Sequence, residues 1–381
     1  ENRSATHRPG ALNEGSERPL FMARHHSSIF DARLVGFLLG AALLLPGGGV
    51  ADASDGVAED SGVLSVPAEF VFSFRLPGLE DLIKRPSAVF VDRTHGEVLI
   101  GDSSRNRVLI FDQAGTYKYE FSFTDQMGSV VDLAVDSSGF IYVLGTTREG
   151  RRVHKYDFDG VFLEVFSMGE VDPGRIESMT IDDQDQVILI DDRGVCYVVN
   201  ATGQLLTTID TMAVLPDASS QLEMVRGKPS AYKGLLYLPA SSLGSVLVFE
   251  LATGQALPSI GFRGNTPGQL NFPVAVEVLP SGVVAVLDKM RFTVLCFAPS
   301  GRFLGEFGGR GFRDGWFYHP ILLAAVGEDR IVVGQVLDQR VQVLRVPDFV
   351  FTRLSREPVP AGRRAVEEDA VSPTGSDPRS P

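Results

Sequence analysis

Histidines and carboxylates are the residues of this chain that could do metal or acid–base chemistry. Beyond residue 54 the only histidines are His95, His154 and His319, and a catalytic zinc site needs three protein ligands with one open position. Asp132 and Glu277 stand in otherwise small or apolar stretches and are weak candidates for holding a divalent cation. No G-x-S-x-G, P-loop, paired-cysteine or H-E-x-x-H motif accompanies them. The sequence therefore predicts no cofactor and favours a non-catalytic role.

Arginine and tryptophan supply chemistry of a second kind, which is recognition. Arg151, Arg152, Arg193 and Arg291 lie in polar loops between apolar stretches, and guanidinium groups suit an anionic ligand or a protein partner. The only tryptophan, Trp316, lies beside two further aromatic residues and could form a binding platform. The alternatives are structural: a solvated network of arginines with aspartates, and core packing of the aromatic stretch.

A repeated unit must position these residues. Its glycine turn recurs in steps of 45, 43, 51 and 47 residues, at Gly115, Gly160, Gly203, Gly254 and Gly301. Each unit holds four short apolar stretches separated by Asp/Gly turns. A period near 45 residues with four strands is typical of β-propeller blades.

Six third strands can be read along the chain: 107–112, 153–158, 196–200, 246–251, 293–298 and 341–346. The sixth unit lacks an outer strand of its own. The stretch 68–78 resembles the outer strand at 301–311, so we expect the N-terminal strand to complete the last blade and close the ring. Residues 348–351 (DFVF) compete for that edge. The predicted fold class is all-β, a six-bladed β-propeller of four-stranded antiparallel blades.

The stretches PGQLNFPVAV (267–276) and GDSSRNRVLIFDQAG (101–115) resemble the repeats of the NHL family of six-bladed propellers. The resemblance covers about residues 68–346, although 236–250 lacks the loop Asp and Asn-Arg of the pattern. It implies the propeller fold and, by analogy with the related amidating lyases, raises the possibility of a zinc site built from histidines of several blades. Propellers host unrelated activities, so the resemblance says little about function.

In such a ring the first-to-second and third-to-fourth turns lie on one face, here called the turn face. The second-to-third turns and the crossovers between blades lie on the opposite loop face. This assignment predicts an acidic turn face and a loop face of mixed charge. It places His95 on the turn face but His154 and His319 on the loop face, so one zinc cannot contact all three. Asp132 and Glu277 should lie near the central channel.

Charge and the chain ends indicate the compartment. Residues 54–354 hold 38 acidic and 26 basic side chains, which argues against nucleic acid as a partner. From Met22 a basic segment, an apolar run of 12 residues and Ala51-Asp52-Ala53 form a secretory signal with cleavage after Ala53. We therefore predict a leader (1–53), a propeller (54–354) and a disordered tail (355–381) rich in Pro, Ser and charge.

These observations predict a secreted or periplasmic propeller, a monomeric ring without a membrane span after leader cleavage. It would bind a protein partner or an anionic ligand through its loop face. The long crossover 211–229 is the first choice for a partner-specific element. The alternative is a metal-dependent extracytoplasmic hydrolase or lyase with its site in the central channel. A third possibility is a sensor ring anchored by an uncleaved leader. Cys196 and Cys296 lie in separate blades and should be buried and unpaired.

Overall fold

The apolar stretches between the turns form strands, because β-branched and aromatic residues favour a pleated, buried backbone. The computed structural model describes residues 66–356, apart from 67, 79–81, 124–126, 170, 216, 218, 220, 222 and 223. This part of the chain holds six four-stranded antiparallel sheets. The predicted leader, and all but the first two residues of the predicted tail, lie outside the described residues.

The blades follow one another along the chain. Blade 1 contains β2 (Pro86–Asp92), β3 (Glu97–Asp102), β4 (Arg107–Asp112) and β5 (Tyr117–Ser122). Blade 2 contains β6 (Val130–Val135), β7 (Ile141–Thr147), β8 (Gly150–Tyr156) and β9 (Phe162–Val165). Blade 3 contains β10 (Ile176–Ile181), β11 (Val187–Asp191), β12 (Val195–Val199) and β13 (Leu205–Asp210).

Blade 4 contains β14 (Ser230–Tyr232), β15 (Leu235–Ala240), β16 (Ser245–Glu250) and β17 (Ala256–Ile260). Blade 5 contains β18 (Pro273–Val278), β19 (Val284–Asp288), β20 (Thr293–Phe297) and β21 (Phe303–Gly308). Blade 6 contains β22 (Pro320–Val326), β23 (Arg330–Gln335), β24 (Arg340–Arg345) and β1 (Glu69–Ser73). All six predicted third strands are confirmed.

The ring closes through its first strands and through β1. The first strands contact one another in blade order, and β2 of blade 1 also contacts β22 of blade 6. β1 pairs antiparallel with β24 and is the outer strand of blade 6. Because β1 precedes every other strand in sequence, the last blade is built from both ends of the propeller. The six-bladed propeller predicted from the repeat is thereby confirmed.

The competing prediction, that residues 348–351 form the edge strand, is wrong, because these residues lie in helix α1 (Asp348–Leu354). The helix covers the outer strand of blade 5. Phe349 packs against Gly305, and Arg353 donates a hydrogen bond of 2.7 Å to the Leu304 carbonyl. A phenylalanine at that position finds better burial on the blade than at a solvated sheet edge.

The hydrophobic core is divided among the six seams between neighbouring blades. Each seam holds its own cluster of buried apolar side chains, contributed by the strands on both sides. Second and third strands are buried on both faces and so are apolar almost throughout. Cys196 and Cys296 are free, buried members of these clusters. The predicted absence of a disulfide between them is confirmed.

Candidate functional site

In three of the six blades, a buried aspartate at the end of the second strand organises the loop face. Asp288 is fully buried. Its Oδ1 accepts the backbone N–H groups of Met290 and Arg291 at 3.0 Å each, and its Oδ2 accepts those of Asn271 and Phe272 at 2.6 and 3.0 Å. One carboxylate thus fixes the turn of blade 5 and the crossover that precedes the blade. Asp102 and Asp191 do the same in blades 1 and 3.

Arg291, a predicted contact residue, is engaged within blade 5. Its guanidinium is 11% exposed and lies 2.6 Å from the Glu306 carboxylate, and it donates to the Thr266 carbonyl at 3.1 Å and to the Gln269 carbonyl. The structure therefore gives Arg291 a role in holding the crossover, which was the structural alternative from the sequence.

The predicted arginines of blades 2 and 3 lie on neighbouring blades. Arg151 and Arg152 lie on β8 and not in a loop as expected, whereas Arg193 lies in the turn after β11. Arg151 is half-buried and donates to the Ile176 carbonyl of blade 3 at 3.1 Å. Arg152 is exposed. Arg193 is 57% exposed and is held by Asp191 at 2.7 Å. Trp316 does not join them, because it lies in the crossover into blade 6.

Two further arginines are exposed nearby: Arg148 in the turn between β7 and β8, and Arg175 in the crossover into blade 3. Neither was selected from the sequence as a contact residue. Burial, with repulsion from Arg175 as the next contribution, lowers the pKa of Arg151. Carboxylates lie among these arginines, since Arg175 pairs with Glu177 at 3.0 Å and with Asp192 at 3.9 Å, so an incoming anion would compete with them for the guanidinium groups. The five arginines define the arginine patch: Arg148, Arg151, Arg152, Arg175 and Arg193.

Trp316 is half-buried and packs against Gly311, while its carbonyl accepts a hydrogen bond of 3.0 Å from Gln342. Its neighbour Phe317 is fully buried and packs against Gly308 in the seam between blades 5 and 6. The aromatic stretch therefore contributes to the core, with part of the indole left accessible.

Four large apolar side chains of the loop face were also missed. They stand in two crossovers and two second-to-third turns, where polar residues are the norm, and are 58–63% exposed: Phe262, Met290, Phe312 and Leu337. Their loops are joined one to the next. Arg291 donates to the Thr266 carbonyl at 3.1 Å, the Gly309 N–H donates to the Phe292 carbonyl at 2.8 Å, and Arg340, at the start of β24, donates to the Phe312 carbonyl at 2.7 Å. The four exposed apolar residues define the apolar patch. An unexpected apolar residue in a turn was the signal available in the sequence.

The channel carboxylates are both paired with cations that the sequence reasoning missed. Asp132, on β6 of blade 2, forms an ion pair with Lys228 from the crossover 211–229, and its Oδ2 accepts the Met179 N–H at 3.0 Å. Lys228 also lies 3.3 Å from the Val89 carbonyl of blade 1. The long crossover, predicted as a partner element, thus reaches into the channel and joins blades 1, 2 and 4.

Glu277, on β18 of blade 5, lies 3.3 Å from the guanidinium of Arg93 in the first turn of blade 1. Burial raises the pKa of Glu277 to about 7, although the charges of Arg93 and Lys228 oppose this shift. Side chains of alternating charge therefore line the channel in the order Asp132, Lys228, Glu277 and Arg93. Since each carboxylate already has its cation, neither is poised as a metal ligand.

A cavity of about 280 Å³ occupies the channel toward the turn face, and all six blades line it. Most of the aspartates at its rim accept hydrogen bonds from the backbone of their own turns. Asp136, for example, accepts two backbone N–H groups through Oδ1 and the Tyr142 hydroxyl through Oδ2. Within the described part of the chain, no three His, Cys, Asp or Glu side chains are grouped to hold a metal ion.

The histidines are dispersed, but the predicted place of His154 on the loop face is wrong, because this residue lies within β8, opposite Val143 of β7. His95 contacts Asp92 on the turn face. His154 is buried beside Phe162 in blade 2, and burial lowers its pKa. His319 contacts Tyr318 edge to face in the crossover into blade 6. Each imidazole therefore has its own surroundings.

Neither a protein-family model nor a curated protein sequence matches the chain. Solved structures do match it. A structural genomics protein of unknown function from Bacteroides thetaiotaomicron has a TM-score of 0.53 and 13% identity, covering 74% of each chain. A structure of streptogramin B lyase has a TM-score of 0.48 and 16% identity, covering 73% of this chain and 88% of the lyase chain. At these identities the likeness concerns the fold alone, and membership of the NHL family stays a prediction. Among the described residues, no helix has the length and apolar character needed to cross a bilayer.

Proposed function

We propose that the protein is an extracytoplasmic scaffold that binds a protein partner through its loop face. The observation that carries this proposal is the apolar patch. Four adjacent loops each expose one large apolar side chain on a frame fixed by buried hydrogen bonds. Exposed apolar side chains grouped within polar surroundings are typical of protein interaction sites.

The arginine patch supports a partner with acidic groups. It lies on the opposite side of the ring from the apolar patch, on the same loop face. Arginine is enriched in protein interfaces because its planar fork can bind a carboxylate through two hydrogen bonds. A partner that spans the channel mouth would meet apolar side chains on one side and guanidinium groups on the other.

The alternative, a metal-dependent hydrolase or lyase of the channel, is less well supported by the geometry. A cation at Asp132 would have to displace the Lys228 ammonium, and a cation at Glu277 would have to displace the Arg93 guanidinium. Both exchanges would leave a positive side chain beside the incoming metal, which raises the cost of binding.

The extracytoplasmic location in the proposal rests on the sequence of the leader. N-terminal sequencing of the protein isolated from its source cell tests it. A mature terminus at Ser54 supports secretion or release into the periplasm. A retained leader would contradict release and favour the anchored sensor ring.

Affinity purification from the envelope fraction, compared between variants, tests the binding face. Leu337→Asp combined with Phe312→Asp should reduce recovery of a stoichiometric partner at least about tenfold, because it puts charge into the centre of the contact. Arg152→Glu should weaken recovery less and make it less sensitive to salt. Leu206→Asp, on the outer strand of blade 3 and 46% exposed, is the matched control and should leave recovery unchanged. Equal recovery with all variants would contradict binding through the loop face.

A further inference from the structure

A second cavity, of about 360 Å³, lies in the seam between blades 1 and 2 on the turn face. Its floor is apolar, formed by Leu99, Val135 and Ile141. Its rim is polar, with groups from the first turn of blade 1, from β5 and from two turns of blade 2. An apolar floor with a few polar groups above it is the usual composition of a small-molecule site, and the volume lies in the usual range.

One rim group is an imidazole held in a fixed orientation. The buried Asp92 carboxylate accepts the backbone N–H groups of Thr94 and His95 at 2.8 and 3.0 Å through Oδ1, and lies 2.7 Å from His95 Nδ1 through Oδ2. A carboxylate at Nδ1 fixes the proton there and leaves Nε2 as a hydrogen-bond acceptor in the neutral ring. Among the described residues, none bonds to Nε2. The ring lies beside Gly139, with Cε1 3.5 Å from the position that a Cβ would occupy there.

The opposite rim is an aromatic side chain next to an acid. Phe158 is 65% exposed, and its carbonyl accepts a hydrogen bond from the Tyr119 hydroxyl. Asp159 follows it in the same turn, and no described residue bonds to its carboxylate. In the equivalent turn of blade 1 these two positions are Gln113 and Ala114, so the turn itself requires neither an aromatic nor an acid.

Acidic residues surround the cavity. Burial, together with the charges of Glu97, Asp159 and Asp157, raises the pKa of Tyr119 to about 12. The only lysine of the rim, Lys118, is paired with Glu97. Two carboxylates of the lining have no cationic side chain beside them: Asp92, which is bonded to the N–H groups of Thr94 and His95 and to the imidazole, and Asp159, which is exposed and follows the exposed Phe158 in sequence. A carboxylate and an aromatic ring together are the usual means of recognising an ammonium group.

We propose that this cavity binds a small organic amine with an apolar body. The ammonium group pairs with Asp159 and contacts the ring of Phe158. The apolar body rests on Leu99, Val135 and Ile141, and His95 Nε2 accepts a hydrogen bond from the ligand. This site is independent of the loop face, which lies at the other end of the blades.

Titration of the full chain with 2-phenylethylamine at neutral pH, followed by calorimetry and by the NMR signal of the His95 ring, tests the proposal. The matched neutral probe is 2-phenylethanol. The amine should bind at least about tenfold more tightly, because only it supplies the charge-assisted hydrogen bond. Equal binding of the two probes, or no binding of the amine at millimolar concentration, would overturn the proposal.

Two variants then assign the binding groups. Asp159→Asn should weaken amine binding about tenfold and leave the neutral probe unaffected. Phe158→Gln, which introduces the residue found in blade 1, should weaken it by a smaller factor. The control Glu328→Gln removes the same charge from an exposed turn of blade 6. Amine affinity that stays unchanged in Asp159→Asn, or falls equally in the control, would contradict the assignment. Both side chains are exposed, so melting temperatures should match the wild type.

Discussion

Aspartate turns on the two faces of the propeller differ in what they hold together. On the turn face, Asp157 accepts the N–H groups of Asp159 and Val161 through Oδ1, both within its own turn. On the loop face, Asp288 also reaches residues 16 and 17 positions earlier in the chain. Asp157 is half-buried and Asp288 is completely buried. The same residue type therefore closes a local turn on one face and joins two distant segments on the other.

This difference shows how the loop face can carry varied side chains on a fixed frame. The crossovers into blades 1, 3 and 5 are tied by buried carboxylates, and the crossover into blade 6 is tied by the Gln335 amide, so the exposed residues between these hydrogen bonds are not needed for the fold. Most of the aspartates on the turn face accept backbone N–H groups of their own turns, so much of the negative charge on that face has a structural role. Acidity alone is therefore a poor guide to function in this protein.

The largest expected effect is at Asp288. Asp288→Ala leaves four backbone N–H groups without their acceptor in a buried site, so the free energy of unfolding should fall by about 3 kcal/mol or more. Chemical denaturation at pH 7 measures it. The exposed neighbour Met290→Ala is the control and should change stability by less than about 0.5 kcal/mol. If Asp288→Ala lowered the free energy of unfolding no more than the substitution of a turn-face aspartate, the proposed difference between the two faces would be contradicted.

An intermediate effect is expected in the channel, where Glu277 belongs to neither kind of turn. Burial raises its pKa from an ordinary value of 4.5 to about 7. Between these values the folded protein holds a proton that the unfolded chain has released. Glu277 therefore contributes stability that is present below pH 4.5 and is lost as the pH rises through 7. The loss should be on the order of 2 kcal/mol, since the side chain is 23% exposed.

Glu277→Gln isolates the pH-dependent contribution of Glu277 to the free energy of unfolding, because the amide keeps the shape of the side chain but does not titrate. The difference in free energy of unfolding between wild type and variant should change with pH between 4.5 and 7 and favour the variant increasingly toward pH 7. Parallel pH profiles would show that Glu277 titrates normally, held in its charged form by Arg93.

The smallest expected effect is at Asp157. Asp157→Ala removes the acceptor for two N–H groups that water can partly reach, so the loss should be about 1 kcal/mol. Asp159→Ala in the same turn is the matched control and should be close to neutral, because blade 1 has alanine at this position. If Asp157→Ala lowered the free energy of unfolding as much as Asp288→Ala, hydrogen bonds to residues distant in the sequence would not explain the larger contribution expected of Asp288.

The fold was accessible from the sequence because a propeller repeats one local pattern. The turn glycines Gly115, Gly160, Gly203, Gly254 and Gly301 all have φ between 72° and 88°, a region that glycine adopts without strain. Their spacing gave the blade count, and the third strands lie where the pattern placed them. Helix α1 was missed because DFVF is compatible with a strand, and only the exposed outer face of blade 5 offers it a better site.

The candidate sites were only partly accessible. The sequence placed Asp132 and Glu277 near the channel but did not reveal Lys228 or Arg93 as their partners, since these lie 96 and 184 residues away. It selected Arg291 for recognition, whereas the Glu306 carboxylate and two carbonyls hold that side chain within its blade.

The sequence by itself determined the number of blades, the order of their strands and the face on which each loop emerges. These properties follow from local turn geometry and from the alternation of apolar stretches, which a linear pattern records. Only the tertiary structure decided which charges are neutralised and which remain available. Neutralisation depends on distances between side chains of different blades, and ring closure alone brings those side chains together.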